Sequence, residues 1–187
     1  MESFLASLLL VCALSFGARD QLIIAQFADS LERTAPLLVT AALSAILSAC
    51  VIGYAGSVIG QNISDETARW LALAALLLGA GMLSRQVHMR PMIEPTRSYV
   101  AIGAVLFARQ LADPARLALF AVSLVMEAPQ AAIAGGAIGG MLASALGWIA
   151  GLAKLERLPL RPVRWLFALG MIVSALLIGL NVYITNP

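Results

Sequence analysis

Six nearly uninterrupted apolar runs constrain this chain more than any other feature of it. They cover approximately 3–28, 36–59, 68–83, 99–125, 129–150 and 163–184, each near the roughly 20 residues that a helix needs to cross about 30 Å of hydrocarbon. Of 187 residues, 61% are hydrophobic and 12% charged, and the mean hydropathy is +0.92. A soluble domain of this length could not bury so much apolar surface. The runs are continuous and do not alternate, so helices are expected and not barrel strands. The expected fold is an all-α membrane protein with six transmembrane helices, forming one membrane domain over 1–187. The third run can be extended back to Ser64, because Ser64-Asp65-Glu66 reads as a helix cap. Residues 3–17 imitate a secretory signal, but Glu2 precedes them without any Lys or Arg. A mature first helix is expected.

The chain also says nearly the same thing twice. Arg69-Trp70-Leu71 returns as Arg164-Trp165-Leu166, an offset of 95 positions, and the same shift lays residues 15–22 (SFGARDQL) over 110–117 (QLADPARL). Two repeats follow, about 1–90 and 96–187, with a short linker over 85–98 that carries Pro91 and Pro95. Three crossings per repeat place the halves upside down to one another, as inverted repeats.

Charge distribution orients them. The net charge of +2 points to no nucleic-acid partner. The loops after the first, third and fifth runs hold Arg33, Arg85, Arg90, Arg97, Lys154, Arg157, Arg161 and Arg164, whereas the opposite side has Arg69 at most. The positive-inside rule makes the first group cytoplasmic and sets both termini outside. The expected partners are the lipid bilayer, a small ion and a second copy of the chain. Cys12 and Cys50 lie in apolar runs and read as packing residues. His88, beside Met89 and Met92, is a lone loop histidine and reads as solvated.

The second and fifth runs carry small residues at four-residue spacing: Ala41, Ala45, Ala49, Gly53 and Ser57 in one, Ala132, Gly136, Gly140 and Ser144 in the other. A further stripe, Ala131, Gly135, Gly139, Ala143 and Gly147, shares the fifth run. Such stripes let helix backbones approach closely. They are expected to pack the second and fifth runs against the charged first and fourth.

Ionisable residues at membrane depth are costly and mark functional sites. In the fourth run Arg109, Asp113 and Arg116 would share a helix face. Pro114 disfavours helical geometry at Asp113, and an Asp N-cap followed by Pro is a helix-start signal, so this run is expected to break there. The first run has Ser15, Gly17, Arg19, Asp20 and Gln21 at the matching place, opposite Gln110 in the second copy. Adjacent Arg19 and Asp20 point about 100° apart on a helix. The expected partners are therefore Asp113 for Arg19, and Arg109 or Arg116 for Asp20, with the first and fourth runs side by side at the centre. The transport path is read as Ser15, Gly17, Arg19, Asp20, Gln21, Arg109, Gln110, Asp113 and Arg116.

Two inverted three-helix repeats, each with a polar motif in its first helix, resemble the Gdt-type family of small membrane proteins. The family signature is E-x-G-D-[KR]-[ST], commonly followed by Q-[LI]. The first copy here keeps Gly17, Arg19, Gln21 and Leu22, and the second keeps Asp113 and Leu117. The resemblance implies a secondary transporter in a bacterial inner membrane that exchanges Mn²⁺ or Ca²⁺ for protons. It implies no enzyme activity and no resident cofactor. Asp113 corresponds to a family acid and Asp20 lies two places from one, so these two are the candidate metal ligands. Ser15, Ala18 and Gln110 stand where the family has acids. The alternative is a divergent member without cation transport, acting as a non-transporting partner or carrying another solute, an anion among the options, past Arg19, Arg109 and Arg116.

Overall fold

A computed structural model describes residues 1–85 and 98–185 of the protein, and all regular structure in them is helical. In chain order the helices are α1 (Glu2–Leu14), α2 (Arg19–Ser30), α3 (Ala35–Asn62), α4 (Asp65–Ser84), α5 (Tyr99–Leu111), α6 (Pro114–Val125), α7 (Pro129–Ala150), the single turn α8 (Leu152–Leu155) and α9 (Leu160–Thr185). The linker features named above, including His88, Met89, Met92, Arg90 and Arg97, lie outside the described residues.

Four of these helices, α3, α4, α7 and α9, are long and apolar enough to cross a membrane, and α1 with α2 makes a fifth if that pair, bent by 64°, is one span. The first run is therefore not one continuous helix. Residues 15–18 are mostly apolar or small, but Gly17 takes a left-handed turn there and ends the helix. The fourth run breaks at Ala112-Asp113, as its proline requires. The Ser64 cap forms too: its hydroxyl accepts from the Thr67 N–H at 3.3 Å and starts α4.

The first and fourth runs do meet, through α1 on α6, and α2 and α6 are largely buried, while the second and fifth runs pack on each other as α3 on α7. The reason lies in the small-residue stripes. On one side of α7, a Cβ added at Gly139 would sit 2.6 Å from Leu8 O, and one at Gly147 would sit 2.8 Å from Gln21 Cγ, so this stripe admits the backbones of α1 and α2. On the other side, Gly136 meets Leu119, and Gly140 meets Ala45 and Arg116. The halves of the broken runs wrap this pair: α1 and α2 pack on α7, α5 and α6 on α3. Residues facing outward are apolar, among them Leu43, Leu47 and Tyr54 on α3, Leu142 and Ile149 on α7, and Leu169, Leu176 and Leu180 on α9. A belt of this size belongs against lipid.

Candidate functional site

The first break is built by Gly17. Its φ of 68° lies in the left-handed region, where a side chain costs about 1–2 kcal/mol. Ala18 is then extended and α2 starts at Arg19. Gln21 reaches back to close the turn: its Oε1 accepts from Gly17 N–H at 2.7 Å, while its Nε2 donates to Ala143 O on α7 at 3.0 Å. From the far side, Arg164 donates to Gly17 O at 3.1 Å, to Arg85 O at 3.3 Å and to Met82 O at 3.4 Å. One buried guanidinium thus ties α9 to the end of α4 and to the break in the first run.

The second break is built by Asp113 and Pro114. Asp113 is extended, its Oδ2 accepts from Ala115 N–H at 3.1 Å, and Pro114 takes the first helical position of α6. Its missing N–H is one that a helix start leaves unpaired in any case. One turn on, Arg116 is 3% exposed. It donates from Nε to Ser48 Oγ at 2.9 Å and from Nη2 to Ala45 O at 3.0 Å. Ser48 Oγ in turn donates to Gln110 Oε1 at 3.0 Å, so a chain of hydrogen bonds runs from α6 through α3 to α5.

Between the breaks lies a chamber of about 20 Å³, lined by Ser15, Asp20, Gln21, Gln110, Asp113, Arg116 and Ser144, with Ala18, Ile24, Gly140 and Ala143. That is room for about one water molecule. Asp20 and Asp113 also line a vestibule of about 510 Å³, together with Arg19, Arg85, Arg109 and Arg164. The nine residues chosen from the sequence thus divide. Six surround the chamber, Arg19 and Arg109 face the vestibule, and Gly17 shapes the turn and borders a third cavity of about 240 Å³ beside Leu160, Arg161 and Trp165.

The expected ion pairs do not form. Among the described residues the one pair within 4 Å is Arg33–Asp29 at 3.7 Å, and neither residue lines the chamber. The physical reason is the two breaks. Arg109 ends α5 and Arg116 lies on α6, so they do not stack on one face about Asp113. Arg116 turns instead to the serine and carbonyl of α3, and Asp113 spends one carboxylate oxygen on its helix cap. Nor is there a group of three or more His, Cys, Asp or Glu side chains fit to hold a metal among the described residues. Asp20 and Asp113 supply two acids, whereas a hard dication takes six or more oxygens. Gln21 and Gln110 already accept hydrogen bonds through Oε1.

Two functional residues were not legible as such. Ser48 continues a Thr40–Ser44–Ser48 spacing within an apolar run, a signal that a hydroxyl stripe faces something polar. Arg164 counted as a loop cation; only its fold position makes it a clasp.

No family model, curated protein or solved structure matches this chain. The described residues form an all-helical structure with four helices able to cross a membrane, five if α1 and α2 are one span, and a polar chamber bordered by the α1–α2 and α5–α6 breaks.

Proposed function

We propose that the protein is a secondary transporter of a small ion, built as two inverted three-helix repeats of the Gdt type, with each broken pair counting as one crossing. The observation that carries this reading is the chamber: two helices interrupted at matching positions surround it with both buried carboxylates. Discontinuous helices meeting at a polar site are how many transporters hold an ion at the midplane.

The packing supports related halves. A shift of 95 turns α1 on α7 into α5 on α3, and α2 on α7 into α6 on α3, and all four contacts are made. The same shift turns the Gln21–Ala143 tether into the Arg116–Ser48 tether. One relation lacks its mate: α6 packs closely on α4, while α2 has no comparable contact with α9. The vestibule and the third cavity border that gap. A further cavity of about 390 Å³ lies between α4 and α6 at their other ends, beside Asp65, Arg69 and Glu127, so polar openings flank the chamber's helices on both sides. The arginine-rich loops make the vestibule side cytoplasmic.

By resemblance the cargo is Mn²⁺ or Ca²⁺ exchanged for protons, with Asp20 and Asp113 in the path. The arginines around them favour a second reading, a divergent member that carries another solute, because each cation repels a dication in a medium of low dielectric. Flux in proteoliposomes under an imposed pH gradient tests both. Mn²⁺ or Ca²⁺ movement with counterflowing protons upholds the exchanger; no movement of either by folded protein rejects it. Asp113→Asn is the control, since Asn caps a helix as well as Asp does. The cap is kept, so the variant should fold, and flux should stop.

A further inference from the structure

The vestibule carries an excess of positive charge that helix packing does not consume. Arg19, Arg85, Arg109 and Arg164 face it against Asp20 and Asp113, a surplus of two charges. The positive-inside expectation accounts for Arg85 and Arg164, which stand beside two different arginine-rich loops. It does not explain Arg19 and Arg109, which stand at the two breaks inside apolar runs. Arg19 even sits in the first turn of α2, where the helix dipole opposes a cation.

Arg164 is committed to three carbonyl oxygens. The guanidinium groups of Arg19, Arg85 and Arg109 are exposed and make no hydrogen bond or ion pair with the described residues. Three guanidinium forks without hydrogen-bond partners among the described residues, around one cavity, suit an anion with several oxygens, since each fork can donate two parallel hydrogen bonds. At about 510 Å³ the cavity has room for such an ion with part of its water, whereas the chamber beneath, at about 20 Å³, has not.

We propose that this vestibule is a binding site for a phosphate-like oxyanion, held by Arg19, Arg85 and Arg109, with Arg164 fixing the wall behind them. The site goes beyond the transport reading and stands without it. Two sources offer the same chemistry, free inorganic phosphate and the phosphate of an anionic lipid headgroup.

The test is binding of radiolabelled inorganic phosphate to the full-length protein, freed of lipid in detergent, at constant ionic strength. Saturable binding is expected, weakened at least about tenfold by Arg109→Gln or by Arg19→Gln. Arg157→Gln, at an exposed position outside the vestibule lining, should leave it unchanged. A measurement on the unaltered chain keeps the proposal open to refutation if those variants misfold: phosphate should protect Arg19 and Arg109 from phenylglyoxal, read by mass spectrometry. Absence of saturable binding, binding indifferent to both variants, or modification unaffected by phosphate would overturn the site. Nanodiscs then separate the sources. Equal phosphate binding in phosphatidylglycerol and phosphatidylcholine supports the free ion; loss in phosphatidylglycerol alone supports the lipid headgroup at the same arginines. Phosphate binding without any ion flux overturns only the transport reading, and ion flux without phosphate binding overturns only this site.

Discussion

Gly17 and Ser48 show what single residues do here. Gly17 holds a left-handed turn, and a Cβ there would lie 2.9 Å from Leu160 Cδ2. Gly17→Ala should therefore lower stability by about 1–2 kcal/mol, read as a fall in the thermal midpoint of the detergent-solubilised protein. Ser48 and Ser144 are both buried on the central helices, yet they differ in task. Ser144 Oγ donates only to Gly140 O within its own helix, while Ser48 Oγ accepts from the buried Arg116. Ser48→Ala leaves a guanidinium N–H without its acceptor and should cost about 1–3 kcal/mol. Ser144→Ala removes both the donor and its bond without leaving a buried charge unpaired, and should cost less than Ser48→Ala. Equal losses at the two serines would mean that the Arg116 hydrogen bond contributes nothing.

At the scale of elements, glycine content is decided by neighbours and not by helix propensity. Replacing glycine by alanine inside a helix ordinarily gains about 0.5–1 kcal/mol. Gly170 on α9 has nothing within 4 Å of an added Cβ, so Gly170→Ala should realise that gain. Gly139 on α7 faces Leu8 O at 2.6 Å and Cys12 N at 3.1 Å. There the methyl would meet backbone, which cannot swing aside, and Gly139→Ala should destabilise by about 1–3 kcal/mol as α1 is pushed away. Unfolding of the two variants side by side, in one detergent, checks the opposite signs.

At the scale of the whole molecule, the chamber makes a test by gain possible. On the Gdt-type alignment proposed above, Ser15, Ala18 and Gln110 stand where that family has acids, and all three line one cavity with Asp20 and Asp113. Ser15→Glu, Ala18→Asp and Gln110→Glu together bring five carboxyl groups to it. Mn²⁺ affinity measured by calorimetry should rise by about tenfold or more, and further when Arg109 is neutralised as well. Folded protein with no gain would mean that the motif alignment is wrong, and not merely the cargo. Ser48 would still accept from Arg116, so the variant also shows whether that cation tolerates a dication beside it.

Much of this was written in the chain. Apolar runs of about membrane length demand helices because hydrocarbon offers backbone groups no partner, and the Ser64 cap, the Asp113-Pro114 break and the small-residue stripes are local chemistry that needs no tertiary knowledge. The polar residues of the two motifs could be chosen for the same reason, since their cost at membrane depth is a property of the residue. What local pattern could not decide was partnership. Charge balance pointed to ion pairs between the first and fourth runs, and those runs do meet, through α1 on α6, but the two breaks and the close approach of α3 turned Arg116 towards Ser48 and Ala45 and left Arg19 and Arg109 facing a cavity. Arg164 became a clasp only because α9 stands against the break at Gly17. Hydrogen-bond and charge partners more than a hundred residues apart are set by how backbones can approach, and that is decided only when all the helices pack at once.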